Sequence, residues 1–291
     1  MITATDLDLP PTFTNGFDKY RDFAPMAKGN KAVLESAYDT AMGRTIAIKR
    51  LLPAVADDPR ERRRFLREAR VTAQLQHPAT VPVYEIGLDD QGGIYFTMKK
   101  IAGQNLFAIL QRLSWGDRTT EQEFPRDVLL GIFMKTSHAL AYAHAHGVIH
   151  RDVKPENIWV GKFNEVMLLD WGVAKVWGAG YDGYDSTEPG GRDLDDDLDD
   201  AARLQTLTIT GQRPGTPLYM SPEQVKGQGI IDGRSDIFSM GVMLYEMLTF
   251  REPFRGQTIR NTFDNILHNN PLEPRLLAPK RKISKKLQTS S

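Results

Sequence analysis

The spacing of hydrophobic positions changes partway along this chain. Between Tyr20 and Lys100 the chain falls into short, strand-like runs from Tyr20 onward, including KAVLESAYD, RTIAIKRLL, VPVYEIG and GIYFTMKK, punctuated by the turns TAMG and DDQGG, which predicts β-strands. Between the second and third of these lies PRERRRFLREARVTAQLQHP, with Phe65, Ala69, Thr72 and Leu75 at helical spacing and Pro78 as its terminator. Residues 20–100 therefore read as a small lobe of five strands and one helix. After IAGQNL the texture becomes helical. NLFAILQRL is one helix, and RDVLLGIFMKTSHALAYAHAHG is a longer one, apolar at Val128, Ile132, Phe133, Leu140 and Ala141 and stopped by Gly147. SDIFSMGVMLYEML is apolar on several faces and so belongs inside, and TIRNTFDNILHNN forms the last helix. The fold class is α+β, with a mainly helical second lobe over residues 101–270 and a hinge near 99–105. A cleft between two lobes is a favoured place for a ligand.

The flanks lack periodicity. Residues 1–19, with Pro10-Pro11 and Asn15-Gly16, read as a flexible lead-in, and the basic, proline-broken residues 271–291 as a loose tail. From Val176 to Gly211 a long stretch rich in Gly, Asp, Tyr and Ser includes DLDDDLDD; aperiodic stretches of this length are usually functional or disordered. The acidic run lacks the glycine and terminal glutamate of a calcium loop, and a solvated loop is the simpler reading.

Composition narrows the function classes. The 291 residues carry 37 basic and 37 acidic side chains, so no global attraction to nucleic acid or lipid follows. The arginines of the predicted helix are interleaved with acids and have no aromatic platform, so nucleic acid is not an expected partner. With no cysteine, disulfides, thiolate metal sites and thiol nucleophiles are excluded. MITATDLDLPPTF lacks the basic start and apolar core of a secretory signal, and VLLGIFM and SMGVMLYEML fall short of the roughly 20 residues that span a bilayer. The expected location is cytoplasmic. A zinc site from His144, His146 and His150 lacks a further ligand at suitable spacing.

The concentrated chemistry lies in HRDVKPENIWV, residues 150–160, and LLDWG, residues 168–172. Asp152, Lys154, Asn157 and Asp170 bring two carboxylates, an ammonium and an amide into one segment. That set suits phosphoryl transfer, with a base for a hydroxyl proton, a cation for the moving group and two hard oxygen donors for Mg2+, or Mn2+ in its place. The pair of motifs resembles the catalytic and metal-binding loops of the eukaryotic-type protein kinase superfamily, closest in texture to bacterial serine/threonine protein kinases, with D-W-G in place of D-F-G. The resemblance runs from about Tyr20 to Asn270.

It implies a bilobal kinase-like fold and assigns roles residue by residue. Lys49 in IAIK holds ATP phosphates and is fixed by Glu68; Ala47, Met98, Ile101 and Trp159 surround the base. Asp152 is the base, Lys154 and Thr216 assist it, and Asn157 and Asp170 hold the metal. Arg151 pairs with phosphate on Thr208 or Thr210 in an activation segment at 170–223, which carries an acidic insert at 178–205. Asp236 resembles the helix aspartate that holds the catalytic loop, and Lys154 with GTPLYMSPE resembles the serine/threonine-directed branch. Two departures stand out. AKGNKAVL, residues 27–34, keeps only Gly29 of the three glycines in G-x-G-x-x-G. The arginine that normally pairs with Glu223 has no counterpart after residue 270, so the second lobe reads as truncated, with Arg275, Arg281 or a second copy of the chain as substitutes. Two readings remain: a Mg-ATP-dependent protein serine/threonine kinase acting on protein substrates, and a pseudokinase or nucleotide-binding scaffold with little turnover.

Overall fold

In the computed structural model, residues 16–176, 217–227 and 231–284 are described. Thr208, Thr210, Thr216 and the acidic run lie outside them. The first lobe is an antiparallel sheet in the order β1-β2-β3-β5-β4, formed by β1 (Tyr20–Lys28), β2 (Ala32–Asp39), β3 (Arg44–Leu51), β4 (Val83–Leu88) and β5 (Ile94–Lys99). Alternation along a strand sends neighbours to opposite faces. Thus Ile46, Ile48 and Tyr95 pack with Tyr20 and Ala37 on one face, while Leu51, Ile94 and Phe96 meet a helix on the other.

A short turn of helix, α1 (Pro53–Ala56), precedes α2 (Pro59–Gln74), whose Asp58 cap accepts the Arg60 amide. Phe65 and Ala69 are its sheet-facing residues. The helix ends at Gln74 and not at Pro78; Leu75 leaves helical geometry, and the Thr80 hydroxyl donates to the His77 carbonyl at 2.8 Å. Residues 16–19 belong to the folded unit instead of the lead-in: they form a 3-10 turn in which Phe17 packs on Tyr20 and Tyr95.

The second lobe begins with β6 (Gln104–Asn105), α3 (Leu106–Ser114), α4 (Arg118–Glu123) and α5 (Arg126–Ala145). α4 was not visible in the hydrophobic pattern, because its one buried residue, Thr120, is polar. β7 (Val148–Ile149), β8 (Ile158–Val160), β9 (Val166–Leu168) and β10 (Lys175–Val176) frame the loops carrying the H-R-D and D-W-G motifs. Among the described residues the remaining α-helices are α6 (Pro222–Lys226), α7 (Gly233–Thr249), α8 (Ile259–His268) and α9 (Pro274–Leu277). Much of α7 is buried, and Met240, Met243 and Met247 share a core with α3, α5 and Trp171. Among the described residues, no helix is long and apolar enough to cross a membrane.

The segment after residue 270, read as a loose tail, packs against α7 as far as it is described. Ile283 is buried against Leu244 and Leu248, the Arg281 guanidinium sits 3.5 Å from the Phe250 ring centre, and Tyr245 donates its hydroxyl proton to the Leu272 carbonyl at 2.8 Å. The chain itself thus covers this flank of α7. Arg281 is engaged there, and the described partner of Glu223 is the Ser235 hydroxyl.

Candidate active site

β3 places Lys49 on the same face as Leu51, toward α2. Its Nζ donates to both carboxylate oxygens of Glu68, at 2.5 and 2.7 Å. Burial opposes the Lys49 ammonium, but the Glu68 and Asp170 carboxylates outweigh it and raise its pKa. Burial likewise opposes the Asp170 carboxylate, yet the Lys49 and Lys154 ammonium groups hold its pKa below the ordinary value. At neutral pH the cleft therefore contains a cation and an anion that stabilise one another.

The loop after β7 is built by a chain of polar contacts. Asp236, fully buried on α7, accepts the backbone N–H of His150 at 2.9 Å and of Arg151 at 2.8 Å, and its carboxylate lies 2.7 Å from His144 Nε2. Gln224 of α6 donates to the Arg151 carbonyl at 2.8 Å, and Arg151 Nε donates to the Val173 carbonyl at 2.6 Å. These contacts hold Arg151 at φ +66, a left-handed conformation that is unfavourable for a non-glycine residue. Asp170 is held in the same region, at φ +63.

Asp152, Lys154 and Asn157 sit just beyond. Lys154 Nζ lies 2.8 Å from Asp152 Oδ2, and Asn157 Nδ2 donates to the Asp152 carbonyl at 2.8 Å and to Oδ2 at 3.2 Å. The Asp152 N–H points at His150 Nδ1, 3.2 Å away, so Nε2 carries the ring proton and donates to the Leu169 carbonyl at 3.0 Å. Leu169 in turn donates its N–H to the Asn157 carbonyl at 2.8 Å. The two loops are thereby locked in register. Trp171 closes the assembly from below: it is wholly buried, its ring centre lies 4.6 Å from that of His150, and its Nε1–H donates to the Leu168 carbonyl at 3.3 Å.

A cleft of about 660 Å³ between the lobes is lined by Gly29, Lys49, Glu68, Asp152, Lys154 and Asp170 among others. The fold thus brings together residues separated by most of the described chain. Ala47, Met98, Ile101 and Trp159 are not among the lining residues. Ala47 is buried opposite Met98 in the β3–β5 register, Met98 packs against the core under α2, and Ile101 is half-buried just past β5. Trp159 is half-buried on β8 between Asn105 and Met167, with Nε1 buried and no hydrogen-bond partner among the described residues. Gly29 sits in the β1–β2 turn, where its N–H donates to the Ala32 carbonyl at 2.9 Å.

Among the described residues no cluster of three His, Cys, Asp or Glu is placed to hold a metal alone. The imidazoles of His144, His146 and His150 are engaged separately, by Asp236, the Tyr142 carbonyl and Leu169. Asp170 brings a hard oxygen donor to the cleft, whereas Asn157 is buried outside the lining residues with its Nδ2 turned to Asp152. Sequence reasoning missed Gln224 and the His144–Asp236 contact. Ser221-x-x-Gln224 could have been read as a capping box, but the reach of Gln224 to the Arg151 carbonyl is a tertiary fact.

With this geometry in place, the comparisons agree. The protein kinase domain family matches residues 20–290, and the chain belongs to that family. The match runs past residue 270, into the segment docked on α7. Among curated relatives, the chain is similar to the serine/threonine-protein kinase PknD of Protochlamydia amoebophila (strain UWE25), 34% identical over 93% of this chain and 27% of the relative. The protein of the same name from Chlamydia pneumoniae is 35% identical over 82% of this chain and 25% of the relative. That from Chlamydia abortus is 33% identical over 89% and 27%. The chain spans about a quarter of the length of the relatives it matches.

Proposed function

We propose that this domain is a Mg-ATP-dependent protein serine/threonine kinase. The observation that carries the reading is the convergence of the Lys49–Glu68 pair, Asp152 with Lys154, and Asp170 on one cleft. Asp152 accepts the proton of a substrate hydroxyl as that oxygen attacks the γ-phosphorus, and the bond to the β-phosphate oxygen breaks to release ADP. Lys154 balances charge on the group in transit, and Thr216 helps receive the hydroxyl. Lys49, held by Glu68, grips the α- and β-phosphates. Asp170 and Asn157 would hold magnesium, which when bound neutralises charge on the phosphate oxygens. Ala47, Met98, Ile101 and Trp159 frame the base. Protein substrates fit the relatives, which are named serine/threonine-protein kinases.

A second reading, a nucleotide-binding scaffold with little turnover, is favoured by one observation: the Gly29 amide is engaged by Ala32 and not free to meet a phosphate. One experiment separates the two. Wild type and Asp152→Asn are incubated with labelled ATP, magnesium and a generic basic protein. Label that falls by about 10²–10⁴-fold in the variant, the usual weight of a general base, supports the kinase. No Asp152-dependent label, together with a thermal shift on adding ATP, supports the scaffold. The same reaction, read by mass spectrometry, tests control by phosphate on Thr208 or Thr210 paired with Arg151; active protein with both hydroxyls unmodified removes that part of the proposal.

A further inference from the structure

The β1–β2 turn presents a cation that the roles above leave unused. Lys31 lines the cleft with Lys49, Asp152, Lys154 and Asp170. Its Nζ lies 2.6 Å from Glu61 Oε1, near the start of α2, and the same oxygen accepts from Arg64 Nη1 at 3.3 Å. The turn backbone is fixed while the side chain is free to swing: the Lys31 carbonyl accepts the Leu52 N–H at 2.8 Å, whereas the side chain is 52% exposed. A lysine stem has four rotatable carbons and no fixed hydrogen-bonding plane.

Three features make the ammonium exchangeable. An exposed ion pair is weak, so little holds Lys31 on Glu61. Glu61 would not be stranded if Lys31 left, because Arg64 already shares its oxygen. The turn also lacks the conformational freedom that brings backbone amides to phosphate: Ala27 and Ala32 stand at two glycine positions, and the Gly29 amide is taken. A polyphosphate carries several negative charges and is a stronger partner for an ammonium than one carboxylate already shared with Arg64.

We propose that Lys31 is a nucleotide-binding residue whose ammonium exchanges from Glu61 to the terminal phosphates of bound ATP, supplying as side-chain charge what glycine amides would supply as backbone donors. This rests on the reading of the cleft as an ATP site and deepens it. The test is calorimetric titration of the full chain with ATP and with adenosine at fixed magnesium, for wild type, Lys31→Ala, Lys31→Arg and Glu61→Gln. Lys31→Ala should weaken ATP about tenfold, the size of one charge-assisted contact, and leave adenosine unchanged. Lys31→Arg should recover most of the loss. Glu61→Gln should bind ATP at least as tightly as wild type, because the competing carboxylate is gone. Equal ATP affinity in Lys31→Ala and wild type overturns the inference. So does a parallel loss in Lys31→Ala and Glu61→Gln for both ligands, which would mark the pair as merely structural. A wild type that binds ATP through Lys31 without transferring phosphate would keep this inference and remove the kinase reading; Asp152-dependent transfer with no effect of Lys31→Ala would do the reverse.

Discussion

Asp236 shows how a single residue can set a site that it does not enter. Its two oxygens take up the amides of His150 and Arg151 and so fix the turn that aims Asp152. Glu246, also on α7, shows burial acting on a carboxyl group. Burial pushes its pKa up to about 8; the Tyr219 hydroxyl and Arg255 pull it down, and Glu252 and Glu156 push it further up. Between the ordinary value of 4.5 and about 8, the folded state keeps a proton that the unfolded state has released. Stability contributed by this group therefore falls as pH rises through that window, by up to about 1.4 kcal/mol per pH unit. Glu246→Gln removes the slope, and in urea unfolding it should gain on wild type at pH 8 relative to pH 5. The placements legible beforehand were those of residues in short ordered motifs: Lys49 beside Glu68, Asp152 and Asp170 on the cleft, and Asp236 on the loop before Asp152. Gln224 and His144 were not legible, because nothing local marks which distant group a buried amide or imidazole will meet.

At the scale of elements, periodicity located the sheet, α2, α3, α5, α7 and α8, since each buries one face or is buried all round. It failed where burial is slight or polar, as in α4, and where a proline-broken segment docks instead of fraying. Residues 271–283 contribute few apolar side chains, yet Ile283 fills a site against Leu244 and Leu248 while Arg126 donates to the carbonyls of Arg281 and Lys282. Ile283→Ala should cost about 2–5 kcal/mol by urea denaturation, the range for a buried aliphatic truncation. Leu276→Ala, whose side chain is 71% exposed, should stay within about 0.5 kcal/mol of wild type. Equal effects of the two would mean that the segment does not dock as described.

At the scale of the whole molecule, the cleft needs both lobes. The segment after α2 is bonded to β9, with Leu168 donating its N–H to the Ala79 carbonyl at 2.8 Å, so the strand presenting Asp170 is tied to the lobe presenting Lys49. A ligand held by both should stabilise the fold as one unit, by about 2.7 kcal/mol at a hundredfold excess over its dissociation constant. ATP with magnesium should raise the thermal midpoint of wild type beyond ATP with chelator, and Asp170→Ala should lose that magnesium-dependent increment. An unchanged increment in Asp170→Ala would remove Asp170 as a metal donor. The sequence by itself determined the order of elements, the family resemblance and the identities of the reactive groups, because hydrophobic period and short motifs are local. Only the tertiary structure decided that Gln224 joins Asp236 in holding Arg151 and that the turn there is left-handed, that the last described segment covers α7, and that Lys31 faces the cleft on Glu61. These depend on contacts between residues far apart in the chain, whose geometry is set by packing and not by any neighbouring residue.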